Sequence, residues 1–150
     1  MHIATQFSVF LINKPGILAQ TLDVLAKEKV NILAMTMMDS VEHGVLRLVT
    51  KQRERTSKAL SQLNLSINET DVLCINLPNQ AGALADVASK LASNHINISY
   101  AYCTAGARGG RTTGIFKLAD IKKALKILQH KGSKKVKKKT KLRPSPSRRR

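Results

Sequence analysis

The chain has 150 residues, of which 43% are hydrophobic and only 3% aromatic, and its net charge at neutral pH is +17. This length and hydrophobicity allow one medium or two small globular domains, with a core built from Leu, Ile, Val, Ala and Met. Two cysteines are too few for a disulfide scaffold, and no apolar run reaches the roughly 18 residues that span a bilayer, so we expect a reduced, cytoplasmic protein.

Much of the positive charge lies at the C-terminal end of the chain. Eleven of the 26 Lys and Arg residues follow residue 130, and no acidic residue does. Residues 131–150 contain almost nothing apolar, which is typical of a disordered tail. Such a tail can bind nucleic acid non-specifically by neutralising phosphates, but this one has no aromatic side chains to stack on bases.

The first half of the chain contains a strand, a glycine turn, a helix and further strands. Apolar alternation predicts a strand at about Phe7–Leu11, and Asn13-Lys14-Pro15-Gly16 predicts a turn because Pro restricts φ and Gly allows a sharp bend. A leucine stripe at helical spacing predicts a helix over Gly16–Lys29. The elements that follow are predicted as strands Ile32–Asp39 and Val45–Lys51, helix Arg55–Leu63 and strand Ser66–Thr70.

The second half repeats the first at an offset of 66 residues. The aligned segments are Asn13-Lys14-Pro15-Gly16-Ile17-Leu18-Ala19 with Asn79-Gln80-Ala81-Gly82-Ala83-Leu84-Ala85, and Val30-Asn31-Ile32 with Ile96-Asn97-Ile98. The second copy is predicted to contain, in order, strand Val72–Leu77, helix Ala83–Asn94, strands Asn97–Thr104 and Thr112–Leu118, and helix Ala119–His130.

The order βαββαβ is that of the ferredoxin-like fold, in which two helices cover one face of an antiparallel sheet. We therefore predict an α+β protein with two such modules, at residues 1–71 and 72–130, followed by the basic tail at 131–150. The second module has no obvious closing strand, since the lysines of Ser133–Lys138 make that segment a poor interior strand.

The strand beginning at Ile32 is apolar on both of its faces. Residues 32, 34, 36 and 38 are Ile, Ala, Thr and Met, and residues 33, 35 and 37 are Leu, Met and Met. A sheet with one solvated face should instead alternate apolar and polar residues. We therefore expect the face without helices to be covered by the other module or by a second chain, and we expect a homo-oligomer such as a dimer.

The glycine turns are the first candidates for chemistry. Gly16 and Gly82 each end a strand and open a helix, whose first N–H groups and positive dipole end suit a carboxylate. Asn13, Asn79, Asn31 and Asn97 carry amides that can both donate and accept hydrogen bonds, which suits recognition of an amino acid. The alternatives are that the glycines serve only the tight turn and that the asparagines bond to their own backbone.

The residues do not favour an enzyme. The four histidines are scattered without metal-ligand spacing, and the sequence has neither a G-x-S-x-G elbow nor a phosphate-binding loop. We predict no catalytic residue, no metal ligand and no cofactor.

The two glycine motifs, together with Val30-Asn31-Ile32 and Ile96-Asn97-Ile98, resemble the signature of ACT domains, and their tandem order is similar to bacterial stand-alone two-ACT proteins. The resemblance covers about residues 5–130. It implies regulatory modules that bind an amino acid or a similar small carboxylate, often between two copies. It also implies ligand contacts from residues of the turns and of the strands that follow: Asn13, Gly16, Ile17, Leu18, Asn31, Asn79, Gly82, Ala83, Leu84 and Asn97.

Ala81 stands where the family usually has Pro, which loosens the second turn, so the Gly16 site is favoured if only one site functions. The leading hypothesis is a non-catalytic amino-acid sensor. The alternative is a protein that binds nucleic acid through its tail and uses the folded part as an oligomerisation platform. A third possibility is an oligomerisation module whose ligand site is vestigial.

Overall fold

The computed structural model describes residues 1–38, 43–104 and 110–129. Within these ranges the helices and strands follow one another in the predicted order. They are β1 (His2–Ile12), α1 (Ile17–Lys27), β2 (Ile32–Met38), β3 (His43–Thr50), α2 (Arg53–Ser61), β4 (Ile67–Pro78), α3 (Ala83–Ala92), β5 (Ile98–Cys103), β6 (Arg111–Leu118) and α4 (Ile121–Gln129). The predicted tail and the segment Ser133–Lys138 lie outside the described residues.

The α+β class with two ferredoxin-like modules is confirmed, and the main difference concerns β4. The sequence predicts two strands, Ser66–Thr70 and Val72–Leu77, whereas β4 is one strand of twelve residues. Asp71 does not interrupt it, because this residue pairs with Thr5 within an unbroken ladder between β1 and β4. The boundary predicted between residues 71 and 72 therefore falls inside a strand that both modules share.

All six strands form one antiparallel sheet in the order β2-β3-β1-β4-β6-β5. The ladder between β1 and β4 joins the two modules. It pairs Ser8 with Asn68, and at the 66-residue offset it pairs Cys74 with His2 in the same way. The modules are thus related by an approximate two-fold axis, which passes near the pair Thr5 and Asp71.

The first residues of β1 occupy the position where the second module requires its closing strand. In the first module, Phe7 pairs with Glu69 of the closing strand. The equivalent residue in the second module, Leu73, pairs with Ile3. The start of β1 thereby completes the second half of the sheet, so the second module does not require a strand after α4.

Each module buries its apolar core between the sheet and its own two helices. In the first module, Phe7, Val9 and Leu11 of β1 pack with Leu25 of α1 and Leu60 of α2. The second core is built in the same way and contains Leu73, Ile75, Leu77, Leu91, Phe116, Leu118 and Ala124. The leucine stripes predicted from the sequence therefore face the sheet, and each such side chain contributes roughly 1.5–3 kcal/mol on burial.

The face without helices has a third apolar cluster that draws on both modules: Ala34, Val49, Val72, Cys74 and Ile115. The expectation that the other module covers this face is therefore confirmed for Ala34. The prediction that Ile32 and Ala34 lie on the same face is wrong, because a bulge between them shifts the register. As a result, Ile32 packs in the helix-side core, while Leu33 packs with Ala34 on the opposite face.

Candidate ligand-binding turns

The two glycine turns have the same backbone conformation. Gly16 has φ 89° and ψ −19°, and Gly82 has φ 89° and ψ −20°, in the left-handed region that glycine adopts at little cost. A Cβ atom at either position would meet nothing within 4 Å. The requirement for glycine therefore comes from the bend of the backbone, and the space beside each turn is open.

The first helical amide after each glycine donates a long hydrogen bond back into the turn. The Ile17 N–H donates to the Lys14 carbonyl at 3.4 Å, and the Ala83 N–H donates to the Gln80 carbonyl at 3.3 Å. This first amide of each helix, which the sequence offered to a carboxylate, therefore already has an acceptor within the turn. Neither helix has a side-chain cap, and the next amides lie in a helical turn that offers them no acceptor.

A cleft of about 360 Å³ opens at the second turn. It brings together three of the predicted site residues, Asn79, Ala83 and Leu84, and Gly82 lies between them in the chain. The opposite side of the cleft is formed where β5 ends and β6 begins, at Cys103, Thr104 and Thr112.

Polar groups surround this cleft. The Asn79 N–H donates to the Gly110 carbonyl at 2.9 Å, which holds the turn against the segment that precedes β6. The Thr112 hydroxyl donates to the Thr104 carbonyl, and the Thr104 hydroxyl accepts the Thr113 N–H at 3.0 Å. The cleft therefore combines helix amides, hydroxyls and the aliphatic surface of Leu84, as a small amphipathic ligand requires.

Cys103 contributes the only thiol to this cleft. Its side chain is exposed, and partial desolvation raises the pKa of the thiol above its ordinary value. Cys103, Thr104 and Thr112 were not predicted as site residues. The repeat aligns them with Met37, Met38 and Leu46, so the first copy provided no polar signal at these positions.

The first turn is built differently around the same backbone. Asn13 and Gly16 are exposed, whereas Ile17 and Leu18 are half-buried and pack against the helix-side core of the first module. In the second copy the residue equivalent to Leu18 is Leu84, which is 46% exposed. The leucine that packs against the core at the first turn therefore has a counterpart at the second turn, Leu84, that a ligand can contact.

The structure does not bring Asn31 and Asn97 to the turns of this chain. Asn97 immediately precedes β5, whereas the cleft residue Cys103 ends that strand, so the two lie at opposite ends of it. The Asn97 carbonyl accepts the Ala119 N–H at 3.2 Å, and the Asn31 N–H donates to the Gln52 side chain at 3.4 Å. A ligand contact from either asparagine across an interface with a second chain stays a prediction.

Residues 1–38, 43–104 and 110–129 contain no group of three or more His, Cys, Asp or Glu side chains placed to hold a metal ion. None of the described helices is long and apolar enough to cross a membrane. The predicted binding of nucleic acid by residues 131–150 falls outside these ranges.

The fold and its two equivalent glycine turns define a pair of fused ferredoxin-like modules. The model of the ACT domain pair matches residues 1–142, and the chain belongs to this family. No curated protein sequence matches it.

Solved structures agree with this assignment. A protein from Bacteroides thetaiotaomicron is 32% identical, with a TM-score of 0.78 over 85% of this chain and 87% of that one. The regulatory subunit of aspartate kinase from Thermus thermophilus, in a ligand-free form, is 15% identical, with a TM-score of 0.64 over 86% of this chain and 96% of that one. The corresponding subunit from Thermus flavus is 16% identical, with a TM-score of 0.59 over 86% and 95%. At such identities the two Thermus proteins share the fold with this chain.

Proposed function

We propose that this protein is a non-catalytic regulatory protein of the cytoplasm that binds an amino acid, or a similar small carboxylate, at its glycine turns. The cleft at the second turn carries the proposal, because Asn79, Ala83 and Leu84 lie there beside the polar end of β5. The ligand carboxylate would accept hydrogen bonds from the first-turn amides of α3, where the helix dipole also favours negative charge. The regulatory subunits that share this fold support a binding role rather than a catalytic one.

The turn at Gly16 is proposed as a second site, since it repeats the backbone geometry of the turn at Gly82. The sequence favours the first turn because of its Pro15, whereas the cleft favours the second. Each turn is therefore tested separately below.

Strand β5 suggests how occupancy of the cleft would be communicated to the other module. Its last residue, Cys103, lines the cleft, and its Tyr100 and Tyr102 bond to Gln6 of β1 on the far side of the module junction. A ligand that repositions the end of β5 would therefore change contacts of the first module. Binding would act by favouring one arrangement of the two modules over another.

Two observations support the proposed assembly and compartment. Phe10, Ile12 and Met38 of the first module are 41%, 48% and 47% exposed, and such apolar surface favours association with a second copy. Cys74 and Cys103 are both free thiols, in keeping with a reducing compartment. Sedimentation of a pure monomer at micromolar concentration would argue against the homo-oligomer.

Calorimetric titration of the full chain with each of the twenty amino acids tests the proposal. We expect heat from at least one of them and none from its carboxamide, which lacks the carboxylate. Gly82→Val should abolish binding at the second turn by excluding the left-handed conformation, and Gly16→Val should do so at the first. The absence of heat and of a thermal shift with all twenty would refute the proposal.

The thiol of Cys103 reports on the cleft independently. We expect the bound amino acid to slow modification of Cys103 by a thiol reagent, and a Cys103→Ser variant provides the background rate from Cys74. A different result would assign the site to the first turn. In that case the amino acid binds in calorimetry, leaves the modification rate of Cys103 in the wild type unchanged, and loses affinity only in Gly16→Val.

A further inference from the structure

The helix-free face of the sheet is occupied differently on the two sides of the approximate two-fold axis. On one side, Tyr100 and Tyr102 of β5 reach across to β1. The Gln6 amide nitrogen donates to the Tyr100 hydroxyl at 2.7 Å, and the Tyr102 hydroxyl donates to the Gln6 amide oxygen at 3.0 Å. The Arg47 guanidinium lies 4.0 Å from the centre of the Tyr100 ring. Two aromatic rings therefore fill this half of the face.

The other half contains no such rings. In the strand pairing, Ala34 of β2 lies opposite Val49, which is the place that Tyr102 of β5 occupies opposite Ile115, and the side chain of Ala34 is much smaller. A cavity of about 460 Å³ lies on this side, next to the start of β1, and we call it the junction cavity.

Two lining residues of the junction cavity correspond to residues near the tyrosines. Cys74 is equivalent to Ser8, which bonds to Gln6, and Thr113 is equivalent to Arg47, which stacks on Tyr100. The junction cavity lies next to Ala34, which packs in one cluster with the lining residues Leu33, Cys74 and Ile115.

The charge around the junction cavity has one sign. Lys51 and Arg53 contribute cations, and none of its lining residues is an Asp or a Glu. Arg53 already forms an ion pair with Glu69 at 2.7 Å, whereas Lys51 has no ion-pair partner among the described residues. Lys51 is therefore the side-chain cation available to an anionic ligand, and the Met1 amino group adds positive charge nearby.

The interior of the junction cavity is largely apolar, with polar groups at one side. Leu33 and Ala4 present aliphatic surface to it. The Thr113 hydroxyl donates to the Asn76 side-chain oxygen at 3.1 Å, and this pair can also meet a polar substituent of a ligand. A volume of this size falls in the range that small-molecule ligands occupy.

We propose that the junction cavity binds a small aromatic carboxylate, with its ring against the apolar lining next to Ala34 and its carboxylate at Lys51. This site differs from the glycine-turn cleft and does not depend on the function proposed above. A ligand there would contact both modules, since Leu33 belongs to the first and Thr113 to the second.

Calorimetric titration of the full chain with phenylacetate tests the proposal, with phenylacetamide and acetate as matched probes. We expect phenylacetate to bind and acetate not to bind at millimolar concentration. Phenylacetamide should bind about fivefold more weakly than phenylacetate, because it cannot form the partly solvated ion pair with Lys51. Equal affinity for phenylacetate and phenylacetamide, or no heat from phenylacetate, would overturn the proposal.

Two kinds of variant test the location. Lys51→Met should weaken phenylacetate binding about fivefold, whereas Lys117→Met, at the equivalent position of the second copy, should leave it unchanged. Thr113→Phe and Ala4→Phe both put a ring at a lining position of the junction cavity and should abolish binding. The thermal unfolding midpoint identifies whichever of the two retains the fold. Equal losses in the two lysine variants, or full affinity in a folded filling variant, would contradict the assignment.

A thiol readout separates this site from the glycine turns. In a Cys103→Ser background, phenylacetate should slow modification of Cys74, which lines the junction cavity, and a Gly82→Val substitution should not change that protection. If phenylacetate instead protects Cys103 in the wild type, and its affinity is lost in Gly82→Val, it binds at the glycine-turn cleft and the junction-cavity proposal is wrong.

Discussion

The hydrogen bonds between Gln6 and the two tyrosines should make a measurable contribution to the stability of the module junction. Gln6 is fully buried, and within the described residues no buried side-chain nitrogen or oxygen lacks a partner. Tyr102→Phe removes the hydroxyl that donates to the Gln6 oxygen at 3.0 Å. An orphaned buried acceptor costs about 1–3 kcal/mol, and because Tyr102 is only half-buried we expect a loss of about 1–2 kcal/mol in the free energy of unfolding.

A double-mutant cycle isolates this interaction from the other effects of each substitution. Gln6→Met removes the amide while keeping a similar side-chain length, and it also eliminates the bond to Tyr100. In the Gln6→Met background, Tyr102→Phe should cost little, because its hydroxyl no longer has this acceptor. We expect a coupling energy of about 1 kcal/mol between positions 6 and 102, measured by urea denaturation of the four proteins.

The cycle has a clear contrary outcome. If the cost of Tyr102→Phe is the same in the presence and absence of Gln6, the two side chains do not interact, and the proposed link from β5 to the first module fails with them. A control cycle between Tyr102 and Thr21, which lies on α1 and bonds to the Ile17 carbonyl at 2.8 Å, should show additive costs.

Three further predictions concern stability. Gly16→Ala and Gly82→Ala should each lower the free energy of unfolding by about 1–2 kcal/mol, because both residues have a φ of 89° and open space beside them. Urea denaturation measures both costs, and clearly unequal values would contradict this. Burial raises the pKa of Cys74 from 9.0 to about 11, so the unfolded chain loses this proton first, and stability should fall as pH rises from 9.0 to about 11. Cys74→Val should flatten that decline, and an unchanged slope would assign it to other groups. Arg53→Met should cost less than about 1 kcal/mol, because Arg53 is 67% exposed in its pair with Glu69, and a larger loss in low salt would contradict this.

The repeat predicts most of the fold because its signals are local. Leu22, Leu25, Val87 and Leu91 recur at helical spacing in the two copies, and each contributes to the core predicted for it. The start of β1 is an exception: the sequence predicts it at Phe7, whereas it lies at His2, where the strand pairs with β4. The other helix and strand ends lie within two residues of the predicted ones, as expected where capping and fraying decide the last turn.

The candidate site is only partly predictable in this way. Asn79, Ala83 and Leu84 come from one continuous motif, and the structure places them in one cleft. Cys103 and Thr112 face them from a different strand pair, and the first copy has Met and Leu at the equivalent positions, so neither motif nor repeat identified them. Such residues become visible only when strand pairing brings distant parts of the chain together.

The sequence by itself determined the two modules, their order of helices and strands, and the left-handed glycine turns, because each depends on residues within a few positions of one another. The tertiary structure alone decided that β1 completes the second module, since that pairing joins His2 with Cys74. It also decided that one side of the helix-free face is filled by tyrosines while the other retains a cavity. Both outcomes arise from the way two similar but unequal modules share one sheet. The difference in side-chain volume between Ala34 and Tyr102 acts only after the strands have paired.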